Sequence, residues 1–532
     1  MASRALAWPV LAITFPKQME RELEPPPRAG HARRLATGSL AQQASQVSGL
    51  LSMLVLVTVL ARRLQVAEFG VYGVLSSLAG YLLVIQNAGA GAAVRELAAT
   101  TASEDRVRTY SNALMLYLAA GAAAGVLVAL VGLLLSGGLQ LPSSVARQAR
   151  IGSLLLGAVT AAGWPLTLAR DALRARQLFV RLAAAEIVGV VSYAGLVIGL
   201  SFAGAPLAVL VAASGTLPMA VGLSALTAGR PSAGGFHFRR GEVDRGRMRQ
   251  LLGLAGYLSL TEGAAAAVYA ADRVVLGLLR SAATVGLFEG PVRAHNVLRS
   301  LNAAIIVTVL PAASRYRSVG DERRLRELLV RGLRYSLALL VPLAVTGMVL
   351  AAPVLDVWLG QRYRAGGTAL ALMLAYWLAY ASGGVASAVL VAAGRARYVA
   401  RYAWTAAFTS MALALALVPP LGLEGVALAT ALPYLAVTPL LLRLVLREVP
   451  LRPQFLLRES FLPAYLLGGC LAAGLGLVRL LVPLDSLPAV LGAALAGPLA
   501  YWLAYYALWL RPSERRLVRD VAAGALRLRT AP

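Results

Sequence analysis

The sequence predicts an all-α, polytopic membrane protein, and three observations lead to this fold class. Of the 532 residues, 59% are apolar and only 14% are charged, whereas about 25% of the residues in a soluble domain are charged. The mean hydropathy is +0.71. The apolar residues also form long runs, and short segments between the runs hold most of the arginines. We therefore expect one large helical bundle in a membrane rather than several soluble domains.

Fourteen apolar runs are long enough to cross a bilayer, which takes about 20 residues of helix. The predicted spans are residues 38–61, 70–94, 111–136, 150–169, 182–203, 206–228, 251–275, 287–312, 335–356, 368–393, 402–420, 424–446, 461–482 and 488–510. An even number of spans places both ends of the chain on the same side of the membrane.

The arginines predict the orientation, because the cytoplasmic loops of membrane proteins are enriched in Lys and Arg. With the N-terminus inside, 39 of the 50 basic residues fall in cytoplasmic segments and seven in outer loops. Both ends are therefore expected in the cytoplasm. The net charge of +26 comes from short basic clusters scattered between apolar runs, so it does not indicate a nucleic-acid partner.

Short matches along the chain indicate an internal repeat of six spans. Gly70, before the second span, aligns with Gly286, before the eighth, at an offset of 216 residues (286 − 70). Arg174-Ala175-Arg176 after the fourth span matches Arg395-Ala396-Arg397 after the tenth at an offset of 221. Because six is even, both repeats have the same orientation, as in transporters with parallel repeats. A duplication retained only for packing is the alternative.

The repeat leads to a division of the chain into five parts. They are a disordered cytoplasmic leader (1–37), an N-lobe of spans 1–6 (38–250), a C-lobe of spans 7–12 (251–447), spans 13 and 14 (448–510) and a cytoplasmic tail (511–532). Two lobes related in this way are expected to leave a cleft with a substrate site near mid-membrane.

Polar side chains form stripes on three of the predicted spans. A charge at the bilayer centre costs roughly 2.5–3.5 kcal/mol, so these stripes are expected to line a cavity rather than face lipid. The candidates are Gln42 and Gln46 in span 1, Glu262, Asp272 and Arg273 in span 7, and Glu289, Arg293, Asn296, Arg299 and Asn302 in span 8.

Each stripe also has a structural interpretation. Glu289 and Arg293 are four residues apart and could neutralise each other, and the charges of span 7 could lie near the outer interface. The glutamines of span 1 could be contacts between helices. Asp171 and Glu186, near a cytoplasmic loop, are expected to be structural.

Several chemistries lack the residues that they need. With a single lysine, Lys17, the chain has no P-loop motif for ATP hydrolysis. The three histidines and Cys470 have no metal-binding spacing, and no outer loop is long enough for a catalytic domain. We therefore expect a protein that is not an enzyme and that uses neither a cofactor nor a metal.

A set of short motifs lies at the ends of the spans. They are Leu64-Gln65-Val66-Ala67-Glu68-Phe69-Gly70-Val71-Tyr72, Asn87-Ala88-Gly89 leading to Arg95-Glu96, Asp272-Arg273-Val274-Val275-Leu276-Gly277, Val285-Gly286-Leu287-Phe288, Leu310-Pro311, Leu359-Gly360-Gln361-Arg362-Tyr363 and Gly394-Arg395-Ala396-Arg397. Together they resemble the polysaccharide/O-antigen flippase family of the multidrug/oligosaccharidyl-lipid/polysaccharide (MOP) exporter superfamily. The resemblance covers roughly residues 38–450.

The resemblance implies a transporter that flips undecaprenyl-pyrophosphate-linked oligosaccharides across the cytoplasmic (inner) membrane by alternating access, for surface polysaccharide and lipopolysaccharide biosynthesis. Arginine suits such a cargo, because its guanidinium matches phosphate geometry. The expected roles are a phosphate clamp of Arg273, Arg293 and Arg299, sugar contacts from Gln42, Gln46, Asn296 and Asn302, and proton or sodium coupling through Glu262, Asp272 or Glu289. The implied partners are the lipid bilayer, the lipid-linked glycan, and a polysaccharide polymerase or chain-length regulator.

Three other functions stay open from the sequence. A lipid II (peptidoglycan precursor) flippase of the same superfamily would share fourteen spans and a basic cavity. A drug/cation antiporter would favour an acidic cavity, whereas span 8 carries two arginines. A polysaccharide polymerase would need essential charged residues on a large outer loop, and the hydropathy pattern contains no such loop.

Overall fold

The computed structural model describes residues 29–100, 102–139, 141–229, 237–512, 514–516 and 519, with the side chains of 29–36, 39, 88, 254 and 257–271 left out of the description. Most of these residues are helical, the others lie in turns and loops, and none of them lies in a strand. The helices are α1 Ala29–Arg63, α2 Val66–Ala99, α3 Ser103–Gly138, α4 Ser143–Ala175, α5 Phe179–Phe202, α6 Leu207–Ser214, α7 Leu217–Gly229, α8 Arg245–Leu279, α9 Ala282–Ser318, α10 Glu322–Val349, α11 Ala351–Leu359, α12 Gly367–Ala392, α13 Ala396–Leu421, α14 Leu423–Glu448, α15 Pro453–Leu456, α16 Leu462–Leu481 and α17 Leu487–Leu508. The predicted all-α, polytopic fold is confirmed.

Within the described residues, twelve helices are long and apolar enough to cross a membrane, and the bent pair α6–α7 makes up to thirteen. The pair corresponds to the predicted sixth span and bends by 49°. Pro218 explains the break, because it has no N–H to donate to the carbonyl of Ser214 four residues earlier. The predicted seventh span lies within α8, many of whose side chains are outside the description. Large apolar side chains face outward, with Leu480 83% exposed, as expected for a lipid-facing surface.

The first helix begins earlier than predicted. α1 starts at Ala29, so it includes the end of the segment 1–37 that we predicted as a disordered leader. No proline follows Pro27 in this stretch, and its Ala, Leu and Arg residues have high helix propensity. The rest of the leader, residues 1–28, lies outside the described residues, as does most of the predicted tail 511–532.

The chain divides into two compact units, which we call the N-unit (Pro27–Gly286) and the C-unit (Leu287–Pro532). The division falls within α9, a few residues after its start. The lobe boundary that we placed after residue 250 comes from the sequence repeat and stays a prediction about that repeat.

In the N-unit, glycines allow helices to cross at backbone distance. A Cβ atom added to Gly125 of α3 would lie 2.5 Å from the carbonyl oxygen of Gly157 in α4, and a Cβ atom on Gly157 would lie 2.5 Å from the oxygen of Gly125. Small residues at such crossings are typical of membrane helices, because close backbone approach supplies the packing energy.

A second crossing in the N-unit joins α2 to the first turn of α9. A Cβ atom on Gly70 would lie 1.8 Å from the carbonyl oxygen of Ala282, and one on Gly286 would lie 2.1 Å from that of Val66. Each glycine therefore contacts the residue four positions before the other glycine. The contact is therefore symmetric about the two glycines, and the six-span repeat stays a prediction.

The C-unit has a core of fully buried aliphatic side chains from α10, α12 and α14, including Leu329, Leu333, Val385, Val389 and Val445. The last two spanning helices, α16 and α17, pack against α10. Trp502 of α17 donates from Nε1 to the carbonyl of Ala338 at 2.9 Å, and Tyr501 donates to the carbonyl of Ala464 in α16 at 3.3 Å.

The segment after α17 is fixed to α10 through the buried carboxylate of Glu514. Its Oε1 accepts a hydrogen bond from Tyr335 at 2.7 Å, and its Oε2 accepts from Arg334 at 2.6 Å and from the Arg511 backbone at 2.9 Å. Burial raises the pKa of Glu514. The opposing effects are larger: the hydrogen bonds from Tyr335 and the Arg511 backbone, together with the charge of Arg334, bring the pKa below its usual value.

Candidate functional site

Glu289 and Arg293 form an ion pair within α9. The Glu289 side chain is buried, and its Oε2 atom lies 3.1 Å from Nη2 and 3.2 Å from Nε of Arg293. The Arg293 side chain is 16% exposed. The pairing that we considered as a structural interpretation is therefore present, and the i,i+4 spacing on one helix produces it.

Two other side chains of α9 face α12. His295 is buried, and its Nδ1 atom lies 3.2 Å from Nε1 of Trp377 and 3.3 Å from the carbonyl oxygen of Met373. Nδ1 accepts from Trp377 when the ring proton is on Nε2, and it donates to Met373 when the proton is on Nδ1. Asn302 is also buried and lies against Gly384, where an added Cβ atom would be 2.9 Å from the Asn302 amide nitrogen. Within the described residues the Asn302 Oδ1 atom has no hydrogen-bond partner.

The remaining polar residues of α9 are more accessible. Asn296 is half-buried, and Arg299 and Ser300 are exposed. Arg299 lies about 9 Å further along the helix axis than Arg293. Over the predicted span 287–312, α9 therefore carries two guanidinium groups and one carboxylate, and Arg315 and Arg317 follow in its last turn, so the helix has an excess of positive charge.

In the N-unit, Arg273 of α8 is buried and donates from Nη1 to the hydroxyl of Tyr81 in α2 at 2.8 Å. Asp272 beside it is half-buried. The side chain of Glu262 lies outside the described residues, so its candidate role stays a prediction.

On α1, Gln42 and Gln46 have different surroundings. Gln42 is half-buried and donates from Nε2 to Oε2 of Glu186 in α5 at 2.7 Å. Ser45 donates to the same oxygen at 2.9 Å. Gln46, one turn further on, is exposed. The structure thus separates the N-unit candidates into an Arg273–Tyr81 contact and a Gln42–Glu186 contact.

The Gln42–Glu186 contact belongs to a larger network that we did not predict. Asp171 of α4, fully buried, accepts hydrogen bonds from Arg170 at 3.1 and 3.2 Å and from Tyr117 of α3 at 2.9 Å. Arg170 also donates to Asn87 of α2 at 2.8 Å. Arg174 lies between the two carboxylates, 3.9 Å from Asp171 and 3.9 Å from Glu186. Side chains from five helices therefore meet at one end of the N-unit.

A signal for this network was present in the sequence. Arg170, Asp171 and Arg174 lie within one helical turn at the end of an apolar run, where each charge needs a partner. The sequence did not say which helix would supply the partners, because Glu186, Gln42 and Asn87 come together only in the folded unit.

The comparison with protein families decides to which family the chain belongs. Residues 59–366, more than half of the chain, match the family model described as polysaccharide biosynthesis protein. The chain belongs to this family. Residues 301–515 also match the model of the lipid II flippase MurJ. The resemblance to flippases of the MOP superfamily that the sequence motifs indicated is confirmed, while no curated protein sequence matches the chain.

Solved structures show the same fold. A lipid II flippase MurJ in an inward closed conformation has a TM-score of 0.68 at 14% identity, covering 89% of this chain and 100% of its own. An inward-facing multidrug resistance MATE family transporter of the MOP superfamily has a TM-score of 0.62 at 14% identity, covering 76% and 94%. A MOP superfamily transporter from Pyrococcus furiosus has a TM-score of 0.50 at 13% identity, covering 78% and 95%. The fold is that of the MOP superfamily.

Proposed function

We propose that this family member is a flippase that moves undecaprenyl-pyrophosphate-linked oligosaccharide units across the cytoplasmic membrane by alternating access, for surface polysaccharide biosynthesis. The observation that carries the proposal is the presence of Arg293 and Arg299 in the predicted span of α9, in a member of the polysaccharide biosynthesis protein family. A pyrophosphate carries at least two negative charges, and guanidinium groups bind such a group through paired, charge-assisted hydrogen bonds.

The residue roles follow from exposure and charge. Arg299 is exposed and binds the pyrophosphate first, and Arg293 assists it while Glu289 holds its guanidinium in place. Arg273, which is buried and donates to Tyr81, is a further proposed phosphate contact in the N-unit. The proposed sugar contacts are Gln42, Gln46, Asn296 and Asn302.

Coupling to an ion gradient is part of the proposal. Asp272, Glu262 and Glu289 are the candidate carboxylates for a proton or sodium. The pairing of Glu289 with Arg293 supports a purely electrostatic role for that carboxylate equally well. We place both termini in the cytoplasm and the protein in the inner membrane, next to a polysaccharide polymerase or chain-length regulator.

A lipid II flippase is the second candidate. The match of residues 301–515 to the MurJ model favours it, because lipid II presents the same undecaprenyl pyrophosphate with a different head group. A drug/cation antiporter is less well supported, since an excess of arginine on α9 repels a cationic drug.

Deletion of the gene tests the proposal. We expect a lipid-linked repeat unit to accumulate on the inner leaflet and surface polysaccharide to disappear, while peptidoglycan synthesis continues. Accumulation of lipid II with cell lysis would support the second candidate, and accumulation of single repeat units on the outer leaflet would indicate a polymerase instead.

A further inference from the structure

The cluster of Gln42, Ser45, Arg174 and Glu186 in the N-unit contains polar groups whose hydrogen-bonding capacity is not filled by the described residues. In the same network, Asp171 is saturated, because Arg170 and Tyr117 provide it with hydrogen bonds of 2.9–3.2 Å. The Glu186 half of the network is different. Its Oε2 atom accepts from Gln42 and Ser45, but among the described residues its Oε1 atom has only the 3.9 Å contact with Arg174.

The guanidinium of Arg174 can donate further hydrogen bonds. Among the described residues its contacts with Asp171 and Glu186, both at 3.9 Å, are longer than a hydrogen bond. Its side chain is 37% exposed, while that of Glu186 is 15% exposed. A guanidinium has five N–H donors, so Arg174 can bind a further acceptor without losing a strong contact.

Gln42 provides an unused acceptor. Its Nε2 atom donates to Glu186, which fixes the orientation of the amide because the oxygen would be repelled by the carboxylate. Within the described part of the chain its Oε1 atom is buried and has no hydrogen-bond partner. A buried acceptor without a partner costs free energy, so a donor from a ligand would be bound favourably.

The charges of the network identify the class of ligand. Arg170 and Arg174 balance Asp171 and Glu186, so the cluster has no net charge and does not attract a pyrophosphate as α9 does. A carboxylate, an amide and a guanidinium together offer acceptors and donors to a neutral molecule with several hydroxyl groups. Both Arg174 and Glu186 lie near the end of the N-unit where α4 ends and α5 begins, with Glu186 about 10 Å along α5 from Phe179.

We propose that Gln42, Ser45, Arg174 and Glu186 form a subsite for a neutral sugar ring, with Glu186 and Gln42 accepting from sugar hydroxyls and Arg174 donating to a ring or hydroxyl oxygen. This inference rests on the proposed function, since the sugar arrives as part of the lipid-linked cargo. It adds a sugar subsite in the N-unit to the pyrophosphate contacts proposed for Arg293 and Arg299 of α9.

Binding of short lipid analogues to the purified full-length protein tests the subsite. The probes are farnesyl pyrophosphate and its glucosyl, galactosyl and N-acetylglucosaminyl derivatives, and the affinity ratio between a glycosylated and the bare lipid is the readout. We expect wild type to bind at least one glycosylated lipid roughly 10–100-fold more tightly, as charge-assisted hydrogen bonds allow. In E186Q the preference should fall close to one while the affinity for bare farnesyl pyrophosphate is unchanged. R174Q should have the same effect, and E448Q, at a carboxylate paired with Arg395, should have none.

The outcomes separate this inference from the proposed function. If no lipid binds to wild type, the flippase proposal fails. If bare farnesyl pyrophosphate binds but none of the sugars adds affinity, or if E186Q and R174Q keep the preference, the subsite is wrong. A subsite for a cation instead of a sugar would appear as a sodium-dependent rise in melting temperature that E186Q abolishes, with the sugar preference intact. Melting curves of E186Q, R174Q and wild type, all recorded in choline chloride, control for folding: the variants should melt at the same temperature as wild type.

Discussion

Two charged clusters, one in each unit, are paired in different ways: across helices in the N-unit and within one helix in the C-unit. In the N-unit, Asp171 and Arg170 are joined by hydrogen bonds that reach other helices, and the network as a whole is neutral. In the C-unit, Glu289 and Arg293 pair within α9, and Arg299 adds a further, exposed positive charge. A network across helices holds several helices together, whereas a pair within one helix fixes only the two side chains that form it.

The largest effect is expected where the N-unit network is broken. Asp171→Ala leaves the buried Arg170 without its carboxylate, and loss of one partner from a buried ion pair costs about 3–5 kcal/mol. The free energy of unfolding in detergent micelles measures it. Glu327→Ala is the matched control, because the ion pair of Glu327 with Arg331 is largely exposed and contributes at most about 0.5 kcal/mol. Equal losses in the two variants would show that the network does not hold the N-unit.

The next effect concerns transport rather than stability. Arg299→Ala should reduce polysaccharide export roughly 10–100-fold, because a hydrogen bond to a charged group contributes about 1.5–3 kcal/mol. Arg299→Lys should restore little, since an ammonium cannot bind phosphate in a bidentate way. Surface polysaccharide per unit of membrane-inserted protein is the measurement, and Arg324→Ala, at the exposed start of α10, is the control. Full export by Arg299→Ala would remove α9 from the proposed clamp.

A third change tests the crossing that positions the start of α9. Gly70→Ala places a methyl group 1.8 Å from the carbonyl of Ala282, and forced overpacking of this kind costs about 1–3 kcal/mol. Gly286→Ala should cost a similar amount, because the contact is symmetric. Gly80→Ala is the control on the same helix, since nothing lies within 4 Å of its added Cβ atom. Melting temperatures of the three variants are compared, and a loss at Gly80 as large as at Gly70 would contradict the close crossing.

The smallest effect is expected at the segment after α17. Glu514 has a lowered pKa in the folded protein, so its stabilisation is complete above the ordinary value of 4.5 and is lost as the pH falls through the lowered value. Glu514→Gln should therefore cost about 1 kcal/mol at pH 7 and nothing at a pH low enough to protonate the wild-type carboxylate. Unfolding of both proteins as a function of pH measures the difference, and a cost that stays constant with pH would contradict the role of the charge.

The fold class and most helix positions could be predicted from the sequence, because long apolar runs have few alternatives to spanning helices. The pairing of Glu289 with Arg293 could also be foreseen, since it depends only on helical spacing. The contacts of Asp171 with Tyr117 in α3 and of Glu186 with Gln42 in α1 could not, because they depend on how the helices of the N-unit pack. The bend in the sixth span was missed for another reason: we read hydropathy across Pro218 without accounting for the hydrogen bond that it removes.

Reconstituted flipping tests the central claim most directly. The protein is placed in liposomes with fluorescent undecaprenyl-pyrophosphate oligosaccharide, isolated from the deletion strain, or with fluorescent lipid II, and the fraction of each lipid that reaches the outer leaflet is followed. We expect the oligosaccharide lipid to move much faster than lipid II, and Arg299→Ala to slow its movement roughly 10–100-fold. Equal rates for the two lipids, or undiminished flipping by Arg299→Ala, would contradict the account.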